Sequence, residues 1–345
     1  MAISRNTKIG ILLTTTILFV SSTFYFYQLF FASNFLVGAD SGKLLYIPKN
    51  ADFNTVKDSL EKNKLVHDFL PFAFVARFVG YKEAVKPGAY EISPNEANWS
   101  LIKRLKAGRQ TPIRLTFNTI RTKSQLGERL ASKMEFSAEE LTSILNDPTQ
   151  TEKFGMDTAN IISIFIPDTY EVYWTISPQA LMEKMHKAYK RFWNNSRLEM
   201  AEKLKLTPEK VMTLASITQS ETNKIDEMPR VAGAYLNRLA IDMPLQADPT
   251  VVFAVGDFEI KRVLSGHKAV DSPYNTYKYN GLPPGPIAIP TRQAIDAVLH
   301  AEKHDYLFFC AKEDFSGYHR FTKDFSEHLR NARIYQAALN KAGIY

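Results

Sequence analysis

The chain has 345 residues, a single cysteine and a formal net charge of +7. One cysteine excludes an intramolecular disulfide and a cysteine metal cluster, and the length allows more than one packed domain. The positive charge is modest and spread among acidic residues, and the sequence has neither a Walker motif nor a dinucleotide glycine motif. A nucleic-acid-binding protein and nucleotide chemistry are therefore not expected.

The first predicted element is an apolar helix near the N-terminus. No charged residue occurs in residues 9–32, and at about 1.5 Å per residue this stretch can cross a hydrocarbon core of about 30 Å. Arg5 and Lys8 precede it, so the positive-inside rule predicts a cytoplasmic tail over residues 1–8 and places everything after the span outside the cytoplasm. A signal peptide cleaved after Ala32 is the alternative, although the stretch exceeds a usual h-region.

Three segments with a strand-then-helix pattern come next. A β-prone run meets a polar turn and an amphipathic helix in each of them. The runs are KLLYI from residue 43, GAYEI from residue 88 and IRLTF from residue 113. Residues 66–85 are rich in Phe and Val and are predicted to form a buried helix between the first two units. These patterns indicate an α+β fold.

The last part of the chain combines helices with long proline-rich connections. A helix is predicted over Ser177–Trp193 and another from about Pro229 to Leu239. Seven prolines then fall between residues 244 and 290 in connections that are too aromatic and apolar to be disordered. These loops are predicted to form a cleft, and proline turns without a ligand are the alternative.

A carboxyl group at the end of a predicted helix is the strongest indication of function. Thr207 is a typical N-cap and Pro208 suits the first helical position. Side chains at spacings of three and four residues then form an apolar face, and the next step along that face is Glu221. The face consists of Val211, Leu214, Ala215 and Thr218. Burial would raise the pKa of Glu221, as a general acid requires near neutral pH, and a solvated glutamate at a frayed helix end is the alternative.

The residue types near this glutamate fit the cleavage of glycosidic bonds. A protonated carboxyl group can donate to the leaving oxygen, aromatic rings stack on sugars, and amides bind hydroxyl and acetamido groups. Such side chains occur in a row at Tyr274, Asn275, Thr276 and Tyr277. A hydrolase normally needs a second carboxylate, and the nearest candidates in sequence are Asp226, Glu227 and Asp248. Without one, a hydroxyl group of the substrate itself would be the nucleophile.

A metal site is not expected. His300 and His304 are spaced to share one helix face, with Glu302 between them, but no third ligand is evident. Two solvated histidines are the favoured interpretation, and neither a metal nor another cofactor is predicted.

Six motifs in the second half of the chain resemble those of the MltG/YceG-like family of endolytic murein transglycosylases, and they occur in the same order as in that family. They are PDTYEV at 167–172, LASITQSET at 214–222, YLNRL at 235–239, LQADPTVVFAVG at 245–256, YNTY at 274–277 and GLPPGPIAIP at 281–290. The upstream half is similar to the family's plan of a single anchor and a LysM-like region, of which VKPGAYEI at 85–92 is the most recognisable piece.

The resemblance implies an enzyme at the outer face of the cytoplasmic, or inner, membrane that cuts nascent peptidoglycan strands internally. It would cleave the β-1,4 bond from N-acetylmuramic acid to N-acetylglucosamine and leave a 1,6-anhydro ring, thereby terminating glycan elongation. Glu221, in the pair Glu221-Thr222, would be the acid and then the base that helps the muramic 6-hydroxyl close the ring. The residues lining the glycan cleft would be Gln246, Asp248, Asn275, Thr276 and Tyr277. The implied partners are glycan strands, the membrane and peptidoglycan synthases, with no cofactor.

The polar, helical pattern that ends near Met156 and the aromatic run Phe165–Trp174 place the main domain boundary, and the resemblance adds a LysM-like region before it. A LysM-like domain is expected over 40–110, a βα connecting subdomain over 111–156 and a mixed α/β catalytic domain over 157–345. The chain also departs from the family pattern in two places. Gln219 stands where many family members have a glutamate, so electrostatic help from that position is absent. LTFNTIRT at 115–122 lacks the family's Glu-Gly turn, which argues against glycan binding by that unit.

Two other functions stay open. A muramidase would use water with Asp248 or Asp226 as the second carboxylate, and its products would carry reducing ends. A peptidoglycan-binding scaffold would have an inactive cleft, and Glu221→Gln would then change nothing.

Overall fold

The computed structural model of the protein describes residues 4–38, 42–117 and 120–343. Four parts of the predictions lie outside the described residues. They are residues 1–3 of the predicted cytoplasmic tail, 40–41 of the expected LysM-like domain, 118–119 of the third strand-then-helix unit and 344–345 of the expected catalytic domain. Helices and short strands both occur, so the predicted mixed helix-and-sheet class is confirmed.

Helices form most of the regular structure. The α-helices are α1 Arg5–Phe31, α2 Phe53–Lys62, α3 Phe69–Phe78, α4 Asn98–Ala107, α5 Lys123–Ala131, α6 Ala138–Asn146, α7 Pro148–Glu152, α8 Pro178–Phe192, α9 Asn195–Lys203, α10 Pro208–Glu221, α11 Met228–Ala240, α12 Asp248–Val255, α13 Ser265–Lys268, α14 Arg292–Leu299 and α15 Phe325–Lys341. The strands are β1 Lys43–Ile47, β2 Gly88–Ile92, β3 Ile113–Thr116, β4 Thr169–Val172, β5 Phe308–Ala311 and β6 His319–Thr322, and a short 3₁₀ helix covers Ile161–Ile164.

Helix α1 has the length and composition of a membrane span. Its 27 residues would extend about 40 Å, which exceeds a hydrocarbon core of about 30 Å. None of its residues is buried, and its apolar side chains are exposed along most of its length. Toward its end, the ring of Phe30 lies edge-on to Phe74 and Phe78 of α3, with ring centroids 6.3 and 5.3 Å apart.

Contacts divide the chain into two units. Unit 1 contains the chain up to Leu115 together with Lys133–Glu135 and Glu171–Ile176, and unit 2 contains Thr116–Ser132, Phe136–Tyr170 and the chain from Ser177 onward. The expected domains 40–110, 111–156 and 157–345 stay predictions.

Unit 1 is built around a two-stranded antiparallel sheet of β1 and β2. Lys43 lies opposite Ile92 and Ile47 opposite Gly88, and the alternating side chains of both strands point into one core. The core is completed by α2 and α4, as the first two strand-then-helix patterns predict, and by α3. The helix expected to be buried between these units is buried on one face only, because Leu70 and Phe78 of α3 are exposed. Its central side chains are Leu45, Ile47, Leu60, Phe72, Tyr90 and Ile102.

Helix α10 is central to unit 2. It begins at Pro208, and the Oγ1 atom of its N-cap Thr207 accepts the Lys210 N–H at 3.3 Å, as the sequence predicts. Every residue from Val211 to Thr218 is buried, because α9, α11, α12 and α14 all contact this helix. The expectation of one apolar face is therefore wrong: α10 is enclosed on all sides.

Enclosure explains the small polar residues of α10. Thr213 Oγ1 and Ser216 Oγ donate to backbone carbonyls within the helix, at 2.9 and 2.7 Å. Ser216 Oγ also accepts the Ile287 N–H at 3.0 Å, which holds the proline-rich segment against the helix. Small hydroxyl groups thus supply buried hydrogen bonds where a charged side chain could not be accommodated.

The two histidines considered as metal ligands do not share a helix face. Helix α14 ends at Leu299 and His300 is its C-cap, so the i and i+4 relation to His304 is lost. The chain leaves the helical path because the Glu302 N–H donates to the carbonyl of Pro229 at 2.9 Å. The spacing rule was wrong here because a tertiary hydrogen bond ends the helix.

Gly285 in the loop 281–287 is a position without room for a side chain. A Cβ atom there would meet the backbone carbonyl of Ala159, and Asn160 Nδ2 donates to the Pro284 carbonyl at 2.9 Å. Gly285→Ala is expected to lower the free energy of unfolding by about 2 kcal/mol, because overpacking against backbone is not relieved by a rotamer change. Urea unfolding of the chain in detergent measures this loss.

Gly266→Ala is the control for that prediction. Nothing lies within 4 Å of a Cβ added at Gly266, and alanine favours a helix, so the change is expected to be neutral or slightly stabilising. Equal losses for the two variants would contradict the close packing of the loop.

Candidate active site

Glu221 is the last residue of α10 and lines a cleft within unit 2. Its Oε1 atom accepts a hydrogen bond from the Tyr235 hydroxyl at 2.6 Å. The pKa of Glu221 is raised from 4.5 to about 7, and burial is the largest cause. The hydrogen bond from Tyr235 and the charge of Arg238 lower this pKa, whereas the charge of Asp248 raises it. A carboxyl group with this pKa can both donate and accept a proton near neutral pH.

Helix α11 carries two residues that affect this carboxyl group, Tyr235 through a hydrogen bond and Arg238 through its charge. Tyr235 and Arg238 are three positions apart and so lie on the same face of the helix. Tyr235 is fully buried, and burial raises its pKa well above the usual value, so its hydroxyl stays a donor. Glu221 therefore has a permanent hydrogen-bond partner that favours its charged form.

Arg238 anchors the neighbouring chain segments. Its side chain is buried, with Nε 2.6 Å from the Leu307 carbonyl and Nη1 2.6 Å from the Leu245 carbonyl. Its guanidinium carbon lies 5.3 Å from the ring centroid of Phe308. Arg238 thus ties α11 both to the residue that precedes β5 and to the segment that leads into α12, and its charge lowers the pKa of Glu221.

A second acidic group, Asp248, faces the same cleft from the first turn of α12. Its Oδ1 atom accepts the hydroxyl of Tyr277 at 2.6 Å and lies 3.8 Å from Lys268 Nζ. That ammonium group is also 4.1 Å from the ring centroid of Tyr277. The carboxylate is therefore charge-compensated and held in place by two partners.

The cleft has a volume of about 1130 Å³, which suits an extended ligand. Glu221 and Asp248 contribute acidic groups, and Ile287 and Ala288 contribute an apolar wall from the proline-rich segment. The predicted cleft next to these loops is thus present.

Most of this chain is similar in sequence to known proteins. The model of the YceG-like family matches residues 45–334. The chain belongs to the YceG-like family. Over 314 residues it is 29% identical to the endolytic murein transglycosylase of Bacillus subtilis, with 86% of this chain and 85% of that protein covered. The family resemblance carried by the six motifs is confirmed.

Two further relatives support the same assignment. An endolytic murein transglycosylase of Streptococcus pneumoniae is 28% identical over 321 residues, which cover 84% of this chain and only 58% of that protein. A crystal structure of a yceG-like protein from Listeria monocytogenes superposes with a TM-score of 0.57 at 28% identity, covering 84% of this chain and 98% of that one.

The predicted cleft residues of this YceG-like chain fall into two groups. Asp248 lines the cleft, and the Tyr277 hydroxyl is bonded to it, although Tyr277 itself is not among the lining residues. Asn275 and Thr276 are buried: Asn275 Nδ2 donates to the carbonyls of Lys268 and Val270, and Thr276 Oγ1 accepts the Ala247 N–H at 3.0 Å. Their positions favour a role in holding Tyr277 and Asp248, and direct contact with a glycan stays a prediction.

Gln246 lies on the exposed side of the same segment. Its backbone has a φ of 49°, in the left-handed region, and its N–H donates to the Thr276 carbonyl at 3.0 Å. Gln219, the departure from the family pattern, borders the cleft, and its Oε1 atom accepts the Thr291 N–H at 2.7 Å. Gln219 thus fixes the start of α14.

The other two candidates for a second carboxylate are engaged elsewhere. Glu227 is buried and accepts hydrogen bonds from Thr222 Oγ1 at 3.1 Å and from the His319 N–H at 2.7 Å. Asp226 accepts the hydroxyl of Tyr318 at 3.1 Å. Only Asp248 of the three borders the cleft.

Sequence reasoning did not assign a role to Tyr235 or Arg238, although both stand in the YLNRL motif. An arginine and a tyrosine three positions apart, on the same face of the helix as the apolar Val231 and Ala234, are the available signal. Their partners are distant in sequence, so spacing alone could not connect them with Glu221.

The pKa of Glu221 predicts how the activity depends on pH. Activity should fall as the pH rises through about 7, because the proton donor is lost. Tyr235→Phe removes a hydrogen bond to the charged form, so the pKa rises and the alkaline limb of kcat/KM moves to higher pH. Rates of glycan cleavage across the pH range measure the shift. Tyr279→Phe, at an exposed tyrosine bonded to Asp271, is the control, and a limb that stays in place in Tyr235→Phe would contradict the assignment.

Proposed function

We propose that this chain is a membrane-anchored lytic transglycosylase that cuts nascent peptidoglycan strands internally. The proposed bond is the β-1,4 link from N-acetylmuramic acid to N-acetylglucosamine, and the new end carries a 1,6-anhydro ring. The observation that supports this best is a single carboxyl group, Glu221, that has a pKa of about 7 and lies at the end of a buried helix facing a large cleft.

In the first step, protonated Glu221 donates its proton to the glycosidic oxygen, and the bond from that oxygen to the anomeric carbon of muramic acid breaks. The positive charge that develops on the sugar ring is stabilised by the carboxylate that Glu221 has become and by Asp248. Tyr235 supports this stage, because its hydrogen bond favours the charged form of Glu221.

In the second step, the carboxylate of Glu221 accepts the proton of the muramic 6-hydroxyl. The 6-oxygen then forms a bond to the anomeric carbon, which closes the 1,6-anhydro ring. One carboxyl group returns to its starting protonation state and no water is consumed, so a second catalytic carboxylate is not needed.

A muramidase is the second candidate because Asp248 borders the same cleft as Glu221 and its charge raises the pKa of Glu221. The bonds from Tyr277 and Lys268 to Asp248 favour a stabilising role for this carboxylate over activation of water. The chemical form of the product end decides between the two.

The remaining parts of the proposal concern location and role. Helix α1 would be a single membrane span, with the cleft outside the cytoplasm on the periplasmic side of the inner membrane, and the LysM-like region over 40–110 would hold the glycan. Cleavage close to the growing end would terminate elongation, with peptidoglycan synthases as neighbours. Co-purification with a synthase after cross-linking tests this part.

Mass spectrometry of the muropeptides released by the full chain in detergent tests the reaction. Anhydro-muramic ends are expected. Reducing ends would identify a muramidase, and intact glycan strands would favour a binding scaffold.

A further inference from the structure

We propose that Arg121, Lys261 and Arg262 form a subsite for the carboxylates of the peptide stems on the glycan strand. The inference rests on the proposed function and specifies its substrate as strands whose stems carry free carboxylates. The three residues are called the cationic wall below.

The cationic wall gives the cleft an excess of positive charge. All three cations line the same cleft as Glu221 and Asp248, and the described residues that line it include no further acid. Glu221 is about half neutral near pH 7, and Asp248 is compensated by Lys268. The three cations of the wall therefore outnumber the two acids that line the cleft.

The cations and the acids of the segment 257–263 differ in their position relative to the cleft. Lys261, Arg262 and the apolar Phe258, Ile260 and Val263 line the cleft, whereas the neighbouring Asp257 and Glu259 do not. The two cations of this segment thus border the cleft, although they are exposed, while its acids lie outside the lining. A surface that served only solubility would have no reason to sort its charges in this way.

Two of the cations are held by their surroundings. The guanidinium carbon of Arg121 lies 4.9 Å from the ring centroid of Phe258, and Arg262 Nη2 donates to Gln336 Oε1 of α15 at 3.3 Å. Neutral partners orient a guanidinium group without compensating its charge. Within residues 4–38, 42–117 and 120–343, none of the ion pairs involves Arg121, Lys261 or Arg262.

The chemistry of the strand identifies what these cations would bind. N-acetylated sugars are uncharged, and the lactyl carboxyl of muramic acid is consumed in the amide bond to the peptide stem. Free carboxylates of the strand therefore reside on the stems. Guanidinium and ammonium groups bind carboxylates through charge-assisted hydrogen bonds, so the cationic wall matches a stem that lies beside the glycan.

The experiment compares two preparations of the same strands: stem-bearing strands with free carboxylates, and strands whose stem carboxylates have been converted to amides. The full chain in detergent is expected to cleave both at similar kcat, with a KM about tenfold lower for the free carboxylates. The double variant Lys261→Gln, Arg262→Gln is expected to lose that difference by raising KM for the charged strands alone. High salt should shrink the wild-type difference, because the cations are exposed.

Two further variants control the result. Lys303→Gln with Lys323→Gln removes two exposed cations that do not line the cleft, and the preference for free carboxylates should persist. The double variant Lys261→Arg, Arg262→Lys keeps both charges and should keep most of the preference for strands with free carboxylates.

The outcomes separate this inference from the proposed function. Equal KM for the two preparations, with anhydro products from both, would overturn the inference and leave the transglycosylase intact. A double variant that loses activity equally on both preparations would also overturn it. Absence of anhydro products from either preparation would overturn the proposed function and the inference together.

Discussion

Glu221→Gln is expected to lower the rate of anhydro-muropeptide release by about 10²- to 10⁴-fold, the usual contribution of a general acid. The amide cannot donate a proton to the leaving oxygen or accept one from the 6-hydroxyl. Its carbonyl oxygen can still accept the Tyr235 hydroxyl, so the site should keep its shape. Timed release of products from purified strands, quantified by mass spectrometry, measures the loss.

Glu209→Gln is the matched control because Glu209 lies in the first turn of the same helix, where it accepts the Tyr189 hydroxyl. The activity of Glu209→Gln should equal that of the wild type.

The stability of Glu221→Gln supplies a second check. The folded pKa of Glu221 is about 7 against an ordinary 4.5, so its stabilising protonation is lost as the pH rises toward 7. At pH 8 Glu221→Gln should therefore unfold at a higher urea concentration than the wild type. If Glu221→Gln kept its activity, the assignment of Glu221 as the acid would be overturned.

Arg238→Leu is expected to lower the free energy of unfolding by about 3 kcal/mol, the largest stability effect expected of the site residues. The substitution leaves the carbonyls of Leu245 and Leu307 without their buried donors, and each such loss costs about 1–3 kcal/mol. Urea unfolding measures the change.

Arg230→Leu separates the loss of buried hydrogen bonds from the loss of charge. Arg230 lies on the same helix but is exposed and paired with the exposed Glu302, an interaction typically worth less than about 1 kcal/mol. A similar loss in both variants would contradict the anchoring role of Arg238.

Local chemistry made the start of α10 and its final residue predictable. A threonine N-cap followed by proline is a strong local signal, and the side chain of Thr207 forms the expected hydrogen bond. The count from that start places Glu221 in the last turn. The burial of the whole helix was not predictable in the same way, because it depends on four other helices, and serine and threonine read as surface residues.

The partners of Glu221 illustrate what lies beyond sequence patterns. Tyr235 is on another helix, and its hydroxyl meets the carboxyl group only after α10 and α11 pack. Motif order could indicate that YLNRL belongs to the family, but not which atom it contacts. For the same reason, the expectation that His304 shares a helix face with His300 was wrong. A hydrogen bond from the Glu302 N–H to the Pro229 carbonyl determines where α14 ends.

The segments around the cleft are far apart along the chain, and this has a consequence for when the cleft exists. Arg121 and Leu339 border the same cavity, so nearly all of unit 2 must be synthesised before its walls can meet. Contacts of such high sequence separation form late, because the intervening chain must first be closed into a loop. A partly synthesised chain therefore has Glu221 without a complete cleft around it, and the cleft can close only when the chain up to Leu339 is available for folding.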